Sequence, residues 1–408
     1  MARVLPFAAY TPPPELAANV ASRSVEHYSK AQLAEIQTAN LLSFLNIIKP
    51  AVEDEDKTNI RKRFFEGILK GQFKKVKKQC YFIYRQSIGD VSYDGIIALA
   101  SVADYEAGKI KLHEQTLTHR ENLLAEYLDK VNLNAEPVCF TFPRSLALES
   151  ILIMVQRRKP YLDFEETDKT RHQVWMAHAE EELSLISDAF KELPAIYIAD
   201  GHHRSASSVR LAQLRRNNLA HHHANSSSEF FMGIFFAENQ LKIFEYNRLV
   251  KNIDGFSLKD LLKKLEINFQ IIPHNKNPFE PMYNHEFGMY SEGQWYELNL
   301  KAKIQLGDNP VESLEPEVFN HYILAPCFNI TDIKTDKRIG FLSGKTPLEE
   351  LSKKVDSGKY QAAFTLFPVS EAELFAVADR GLTMPPKSTW VEPKLLSGLT
   401  VYDLGENG

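Results

Sequence analysis

Short apolar segments alternate along the chain with longer amphipathic ones. Apolar runs bounded by glycine, proline or polar residues predict strands at 81–85, 96–103, 195–198, 230–237, 241–250, 339–342 and 362–367. Apolar residues that recur every three or four positions predict helices at 31–45, 58–73, 205–216, 347–355 and 370–380, and another from about Glu114. This alternation indicates an α+β or α/β fold with a mixed sheet.

Three parts of the pattern decide where candidate residues lie. The predicted helix from about Glu114 has one apolar stripe, formed by Leu117, Leu124, Leu128 and Val131. The strands 230–237 and 241–250 are separated by three polar residues, which predicts a hairpin. The segment 273–310 is polar, and we expect it to be an irregular insertion or a join between two halves.

Length, composition and charge narrow the class of protein. A chain of 408 residues can form two or three cores, or one extended α/β body with additions. Its 44% hydrophobic and 25% charged content is that of a soluble globular protein. The net charge of −5 gives no reason to expect nucleic acid as a partner, and we expect the basic run at 70–78 to be a solvated face.

The cysteines and the N-terminal sequence indicate the cellular compartment in which the protein is expected. Cys80, Cys139 and Cys327 lie far apart, which fits a reducing cytoplasm and argues against a disulfide framework. The first residues lack the apolar run of a signal peptide, and no stretch is long enough to span a membrane. We therefore expect a cytoplasmic protein with no membrane partner.

The segment IADGHHRSAS is the strongest candidate for a binding site. A buried strand ends near Asp200, Gly201 makes a turn, and His202, His203 and Arg204 lead into a helix. A helix N-terminus attracts anions, so these residues predict a phosphate or metal site. The alternative is that Asp200 caps the helix and Arg204 lies in solvent.

Two further segments carry polar side chains suited to chemistry. His113 and Glu114 stand where the amphipathic helix is predicted to begin, and Glu114 alone is explained as a charge that complements the helix dipole. Near the C-terminus, Lys387, Ser388 and Thr389 follow two prolines. They are suited to holding a carboxylate or a phosphate, and equally to anchoring a C-terminal tail.

Two other motifs are weak. The stretch GFLSGKT at 340–346 resembles a Walker A loop, but three residues separate its glycines where the motif needs four. The run of three histidines at 221–223 lies among Asn, Ala and Ser, which predicts a loop with adventitious metal binding rather than a built site.

Taken together, KIKLHEQ at 109–115, DGHHR at 200–204 and PPKSTW at 385–390 resemble, in the same order, motifs of the free serine kinases, which use the ParB/sulfiredoxin-like fold. The whole chain more closely resembles a widespread bacterial family of uncharacterised function that carries the same DGHHR and MPxKST signatures. The resemblance implies an N-terminal extension at 1–80 that the kinases lack. It also implies a nucleotide-binding core at 81–272 with an insertion near 141–192, and a C-terminal α/β subdomain at 273–408 that contributes the PPKST loop.

The resemblance implies a role for each motif residue. Glu114 matches the catalytic base of the kinases. The loop that binds nucleotide phosphates is matched by Asp200, Gly201, His202, His203 and Arg204. Within it, Asp200 is expected to contribute to Mg²⁺ binding, and His203 is also expected to be needed for turnover. Tyr246 matches an aromatic residue near the amino acid, and Lys387, Ser388 and Thr389 match a substrate-binding loop.

The chain departs from the kinase pattern in two respects. Glu114 and Asp200 are separated by 85 residues, roughly twice the kinase interval, and the inserted part includes 174–190. Val391 stands where the kinases carry a histidine, so the identity of the substrate is open.

The function implied by the resemblance is phosphoryl transfer from ATP or ADP, with Mg²⁺, to the hydroxyl of free L-serine or a similar amino acid. The alternatives are a ParB-like regulatory protein that binds nucleotide, a catalytically degenerate member, and a metallohydrolase built on His113, Glu114, His202 and His203. Sulfinic-acid repair is disfavoured because His202 stands where that chemistry needs a cysteine.

Overall fold

The structure, a computed structural model, describes residues 2–49, 56–218, 226–251 and 257–405, so the histidine run at 221–223 lies outside the described residues. The chain forms two compact units. Unit 1 comprises 1–111, 115–241 and 393–408, and unit 2 comprises 112–114 and 242–392. Residues 1–80 thus share unit 1 with most of the sequence up to 241.

Unit 1 is built on a nine-stranded mixed sheet, which confirms the predicted mixed sheet. Phe230–Ala237 runs parallel to Val138–Phe142, and Ile196–Asp200 runs parallel to Ile110–Lys111, while the other neighbours are antiparallel. The strands in sheet order are Leu162–Glu165, Arg171–Ala177, Tyr81–Ile88, Val91–Ser101, Phe230–Ala237, Val138–Phe142, Ile196–Asp200 and Ile110–Lys111, with Val4–Leu5 paired to Val91–Ser101.

The described part of unit 1 contains nine α-helices. In chain order, α1 to α9 are Ala17–Val20, Lys30–Ala39, Leu45–Ile48, Thr58–Leu69, Val102–Glu106, Thr118–Val131, Leu146–Gln156, Glu180–Lys191 and His202–Asn218. Short strand pairs join Tyr10–Thr11 to Lys74–Lys75, Ser22–Arg23 to Leu396–Ser397, and Leu133–Asn134 to Tyr402–Asp403. The C-terminal segment therefore pairs with the N-terminal segment inside unit 1.

The centre of the unit 1 sheet is packed with aromatic rings and leaves no room beside Gly233. Phe140 stacks on Phe235 at 4.6 Å between ring centroids. A Cβ atom on Gly233 would lie 2.3 Å from the Phe140 ring.

We expect Gly233→Ala to lower the free energy of unfolding by about 1–3 kcal/mol, because Phe140 must leave its stacked position. Chemical denaturation measures this change. Gly293→Ala is the matched control, since Gly293 has a φ of +78° but open space around its Cβ position. The Gly293→Ala variant tests backbone strain alone. If it lowers the free energy of unfolding more than Gly233→Ala does, the packing explanation is wrong.

Unit 2 is built on a six-stranded sheet in which every neighbouring pair is antiparallel. Its strands in sheet order are Phe269–Asn275, Gln294–Leu300, Glu286–Ser291, Ala362–Leu366, Tyr246–Val250 and Ile339–Ser343. Its helices α10 to α14 are Leu258–Leu265, Glu315–Phe319, Ala325–Phe328, Leu348–Asp356 and Glu371–Asp379. Lys242–Phe244 pairs separately with Trp390–Glu392. Buried residues of the sheet, including Phe287 and Phe364, form the core with Phe319 of α11.

The predicted helix start at Glu114 is wrong, because α6 begins at Thr118. Thr116 donates a hydrogen bond to the Glu121 carboxylate, so the chain turns into the helix only after Gln115. Leu117 precedes the helix and is 58% exposed, so it does not belong to the apolar stripe. Glu114 therefore lies in a loop and does not complement this helix dipole.

Three other predictions are wrong. The strand 230–237 pairs with Val91–Ser101 and Val138–Phe142 rather than forming a hairpin with the residues that follow it. The segment 273–310 is not irregular throughout, since Glu286–Ser291 and Gln294–Leu300 form a hairpin across Glu292 and Gly293, both with positive φ. The helix predicted at 31–45 ends early, because α2 ends at Ala39, Asn40 leaves the helical dihedrals with a φ of −129° and a ψ of 88°, and α3 begins only at Leu45.

Candidate functional site

The DGHHR segment forms a strand, a tight turn and a long helix. The strand Ile196–Asp200 is buried up to its last residue because its side chains are apolar. Gly201 then adopts a φ of +99°, which side-chain-bearing residues rarely adopt, and the 17-residue α9 begins at His202. The predicted strand–glycine–helix arrangement is therefore confirmed.

Arg204 folds back over this turn. Its Nη1 donates to the backbone carbonyl of Pro137 at 2.6 Å, and its Nη2 lies 3.8 Å from Asp200 Oδ2. A Cβ atom on Gly201 would lie 3.0 Å from Arg204 Nη2. The guanidinium is thus fixed against the turn, where its side chain keeps 33% exposure.

Lys394 is a second cation on the same carboxylate, at 3.4 Å from Asp200 Oδ2. Lys394 was not among the residues predicted from the sequence, although it lies only four residues beyond PPKSTW at 385–390. Partial burial raises the pKa of Asp200, but the charges of Lys394 and Arg204 outweigh this and hold that pKa below its usual value. One carboxylate against two cations leaves a net charge of +1 at the turn, which favours an anion.

We expect Lys394→Met to raise the pKa of Asp200. Of the two cations beside this carboxylate, Lys394 lowers its pKa more than Arg204 does, and the variant removes that charge. The lowered pKa stabilises the fold above the pKa of the unfolded chain, and this stabilisation is lost as the pH falls through the folded value. With a smaller difference between its unfolded and folded pKa values, Asp200 should stabilise the variant less at neutral pH. Carboxyl-detected NMR titration measures the shift. Lys191→Met, which removes the partner of Asp188, should leave Asp200 unchanged, and an equal shift in both variants would contradict the assignment.

The two histidines of the motif differ in exposure. His202 is buried, and the His203 side chain is half-buried at the start of α9. Together with Arg204 they occupy the first turn of the helix, where backbone N–H groups and the positive end of the helix dipole lie. This turn combines the features of an anion-binding helix N-terminus.

Mg²⁺ fits this turn only in company with a phosphate. Asp200 is the single carboxylate of the cluster, and both of its cation contacts fall on Oδ2. Magnesium is held by one or two carboxylates together with phosphate oxygens and water. In the described part of the chain, no three His, Cys, Asp or Glu side chains group as a metal site.

Unit 2 brings Tyr246 and the PPKST loop together. Lys387 has a φ of +59°, and its Nζ lies 5.2 Å from the centre of the Tyr246 ring. The Tyr246 ring also contacts Trp390 edge-on at 5.6 Å. The Lys387 side chain is exposed, so its ammonium group is accessible to a ligand above the Tyr246 ring.

Arg248 contacts this loop and was not among the residues predicted from the sequence. It is fully buried, and its Nη2 donates to the Lys387 carbonyl at 3.0 Å. Its guanidinium lies 4.9 Å from the centre of the Phe341 ring, and burial lowers its pKa to about 9. An arginine in a strand, two residues from an aromatic site residue, is the sequence signal that points to it.

The hydroxyl groups of the loop have separate environments. Ser388 is buried, and its hydroxyl donates to the Pro385 carbonyl at 2.7 Å. It therefore shapes the loop, while its oxygen can still accept a hydrogen bond. Thr389 is half-buried.

Glu114 belongs to unit 2 with Leu112 and His113, although Lys111 and Gln115 on either side belong to unit 1. The His113 carbonyl accepts a hydrogen bond from the Met384 amide at 2.8 Å. The segment that carries Glu114 is thereby joined to the residues just before the PPKST loop. Unit 2 thus brings two of the three predicted stretches together, and the DGHHR turn lies in unit 1.

The remaining features carry no chemistry of their own. The GFLSGKT stretch is the strand Ile339–Ser343 followed by a turn, and α13 begins only at Leu348, so it is no Walker A loop. The three cysteines are free and buried. Within the ranges that the structure describes, no helix is both long enough and apolar enough to cross a membrane.

Comparison of the sequence with family models decides the family. The model for the protein of unknown function DUF1015 matches residues 4–317. The chain belongs to the DUF1015 family. The PPKST loop lies beyond the matched residues of this DUF1015 chain. No curated protein sequence matches it.

Solved structures show only distant similarity to this DUF1015 chain. A free serine kinase mutant in complex with AMP is 12% identical, with 73% of this chain and 88% of that chain covered and a TM-score of 0.36. SbnI with a C-terminal truncation, from Staphylococcus aureus, is 12% identical, with 74% and 85% covered and a TM-score of 0.38. A conserved hypothetical protein from Pyrococcus furiosus is 12% identical, with 72% and 90% covered and a TM-score of 0.33.

Proposed function

We propose that the chain is a small-molecule kinase of the ParB/sulfiredoxin-like fold that transfers a phosphoryl group from ATP or ADP to the hydroxyl of free L-serine or a similar amino acid. The observation that supports this most is the DGHHR turn. Two cations, Arg204 and Lys394, contact the Asp200 carboxylate there. Gly201 makes the turn, and a 17-residue helix begins directly after it. The order of the three motifs along the chain supports the reaction class.

The DGHHR turn would hold the phosphates of the donor. Phosphoryl transfer needs positioning and charge neutralisation more than covalent help from the protein. Backbone N–H groups at Gly201 to His203 and the Arg204 guanidinium supply donors for phosphate oxygens. His203, half-exposed on the first turn of α9, would contact the phosphate that is transferred. When bound, Mg²⁺ would neutralise phosphate charge beside Asp200.

Glu114 would act as the general base. Its carboxylate accepts the proton of the acceptor hydroxyl as the hydroxyl oxygen bonds to the terminal phosphorus. The bond between that phosphorus and the bridging oxygen breaks, and the shortened nucleotide leaves with the electron pair. This role requires the donor phosphates and the acceptor to meet at Glu114.

The PPKST loop would bind the amino acid. The exposed Lys387 ammonium, placed over the Tyr246 ring, suits the substrate carboxylate. Thr389 and the Ser388 oxygen would add hydrogen bonds. Arg248 would act as a positioning residue, since it holds the Lys387 carbonyl.

The test is ³¹P NMR of the purified full chain incubated with Mg²⁺, L-serine and either ATP or ADP. We expect a phosphoserine signal with one of the two donors. A folded protein that gives no phosphorylated product across a panel of hydroxylated amino acids would contradict the proposal. Tight nucleotide binding without any product would instead identify a regulatory or catalytically degenerate member.

A further inference from the structure

Unit 1 contains a cavity of about 600 Å³ that the motifs do not account for. This volume lies within the range of small-molecule sites. One wall is formed by Leu124, Tyr127 and Leu128 of α6, which are three and four residues apart. Two residues of the predicted apolar stripe, Leu124 and Leu128, thus line a cavity.

The cavity continues to the DGHHR turn. Arg204 lines it together with Ser207 and Ser208, which stand three and four residues further along α9 on the same face. Both serine hydroxyls donate to the Arg204 carbonyl at 2.9 Å, and their oxygens remain able to accept hydrogen bonds. One side chain, Arg204, therefore touches both the predicted phosphate turn and this cavity.

The N-terminal segment also lines the cavity. Phe44 and Ile60 line the cavity, and both are almost completely buried. Arg63 also lines it and is held by a hydrogen bond from its Nε to the Ile47 carbonyl at 2.9 Å. Residues 1–80 therefore contribute side chains to the lining of this cavity.

The polar and charged groups of the cavity favour an anionic ligand with an apolar body. Its described lining includes four cations and one acid: Lys49, Lys57, Arg63, Arg204 and Glu136. Burial raises the pKa of Tyr127 to about 12, so its hydroxyl stays protonated at neutral pH and can donate a hydrogen bond. A nucleotide has a base with flat apolar faces and polar edges, and an anionic phosphate chain at one end, which matches this distribution.

We propose that the cavity binds the base and ribose of the nucleotide, and that the N-terminal segment supplies one wall of this nucleoside site. The proposal rests on the function proposed above, because the phosphates are assigned to the DGHHR turn. It gives residues 1–80, which the free serine kinases lack, a direct part in ligand binding.

The test fills the cavity without changing the turn. Leu124→Trp places a larger ring in the cavity, and Leu123→Trp is the matched control, since Leu123 is 53% exposed on the same helix. Calorimetric titration of the full-length variants with ADP and with pyrophosphate separates the two sites. We expect Leu124→Trp to weaken ADP binding about tenfold or more and to leave pyrophosphate binding within about twofold, while Leu123→Trp changes neither.

The outcomes separate the two proposals. If Leu124→Trp binds ADP as tightly as the wild type, the nucleoside site is refuted while the proposed function stands. If the wild-type chain binds neither ADP nor pyrophosphate, the proposed function fails and the nucleoside site fails with it. If Leu124→Trp does not fold, photolabelling of the wild type with 8-azido-ADP tests the nucleoside site instead. Labelled peptides from α4 or α6 support the site, and labelling confined to other elements overturns it.

Discussion

Glu114→Gln should lower the turnover of the full-length chain by about 10²–10⁴-fold while nucleotide affinity stays unchanged. Glutamine keeps the size and polarity of the side chain but cannot accept the proton of the acceptor hydroxyl. The measurement is kcat for phosphoserine formation beside the ADP dissociation constant from calorimetry.

Glu126→Gln is the matched control, because Glu126 is an exposed carboxylate on α6 of unit 1. It should leave both quantities unchanged. An unaltered kcat in Glu114→Gln would remove Glu114 from the mechanism. If Glu114→Gln lowers nucleotide affinity by the same factor as kcat, Glu114 binds the nucleotide rather than acting as the base.

Gly201→Ala should abolish most phosphate binding at the DGHHR turn. The φ of +99° disfavours any residue with a Cβ atom, and that atom would lie 3.0 Å from Arg204 Nη2. The strain costs about 1–3 kcal/mol, and relieving it moves the guanidinium or the start of α9. We therefore expect pyrophosphate affinity to fall about tenfold or more.

Gly108→Ala separates this effect from general strain. Gly108 has a φ of +69°, and nothing lies within 4 Å of its Cβ position. That variant should lose stability without losing pyrophosphate affinity. Equal affinities for wild type and Gly201→Ala would show that the turn is not the phosphate site.

The DGHHR turn was predictable because each of its parts is local. Apolar residues before Asp200 specify a strand, Gly201 permits the turn, and the next residues continue as α9. The helix beginning near Glu114 was placed too early because a contact between Thr116 and Glu121 delays its start. Such side-chain contacts are not visible in apolar periodicity.

Long-range contacts account for what the sequence missed. Lys394 is 194 residues from Asp200 in the chain, and no local pattern pairs them. The strand 230–237 pairs with Val91–Ser101 rather than with its sequence neighbours, for the same reason. The cavity beside α6 was also unforeseen, since an apolar stripe has the same spacing whether it meets a core or a ligand site.

Amide NMR of the full chain tests most directly the claim that the DGHHR turn binds nucleotide phosphates. On addition of ADP, and separately of pyrophosphate, we expect the amide signals of Gly201, His202, His203 and Arg204 to shift in both titrations. Backbone N–H groups that donate to a phosphate move strongly downfield. If ADP binds while these four signals stay in place, the phosphates lie elsewhere and the account is wrong.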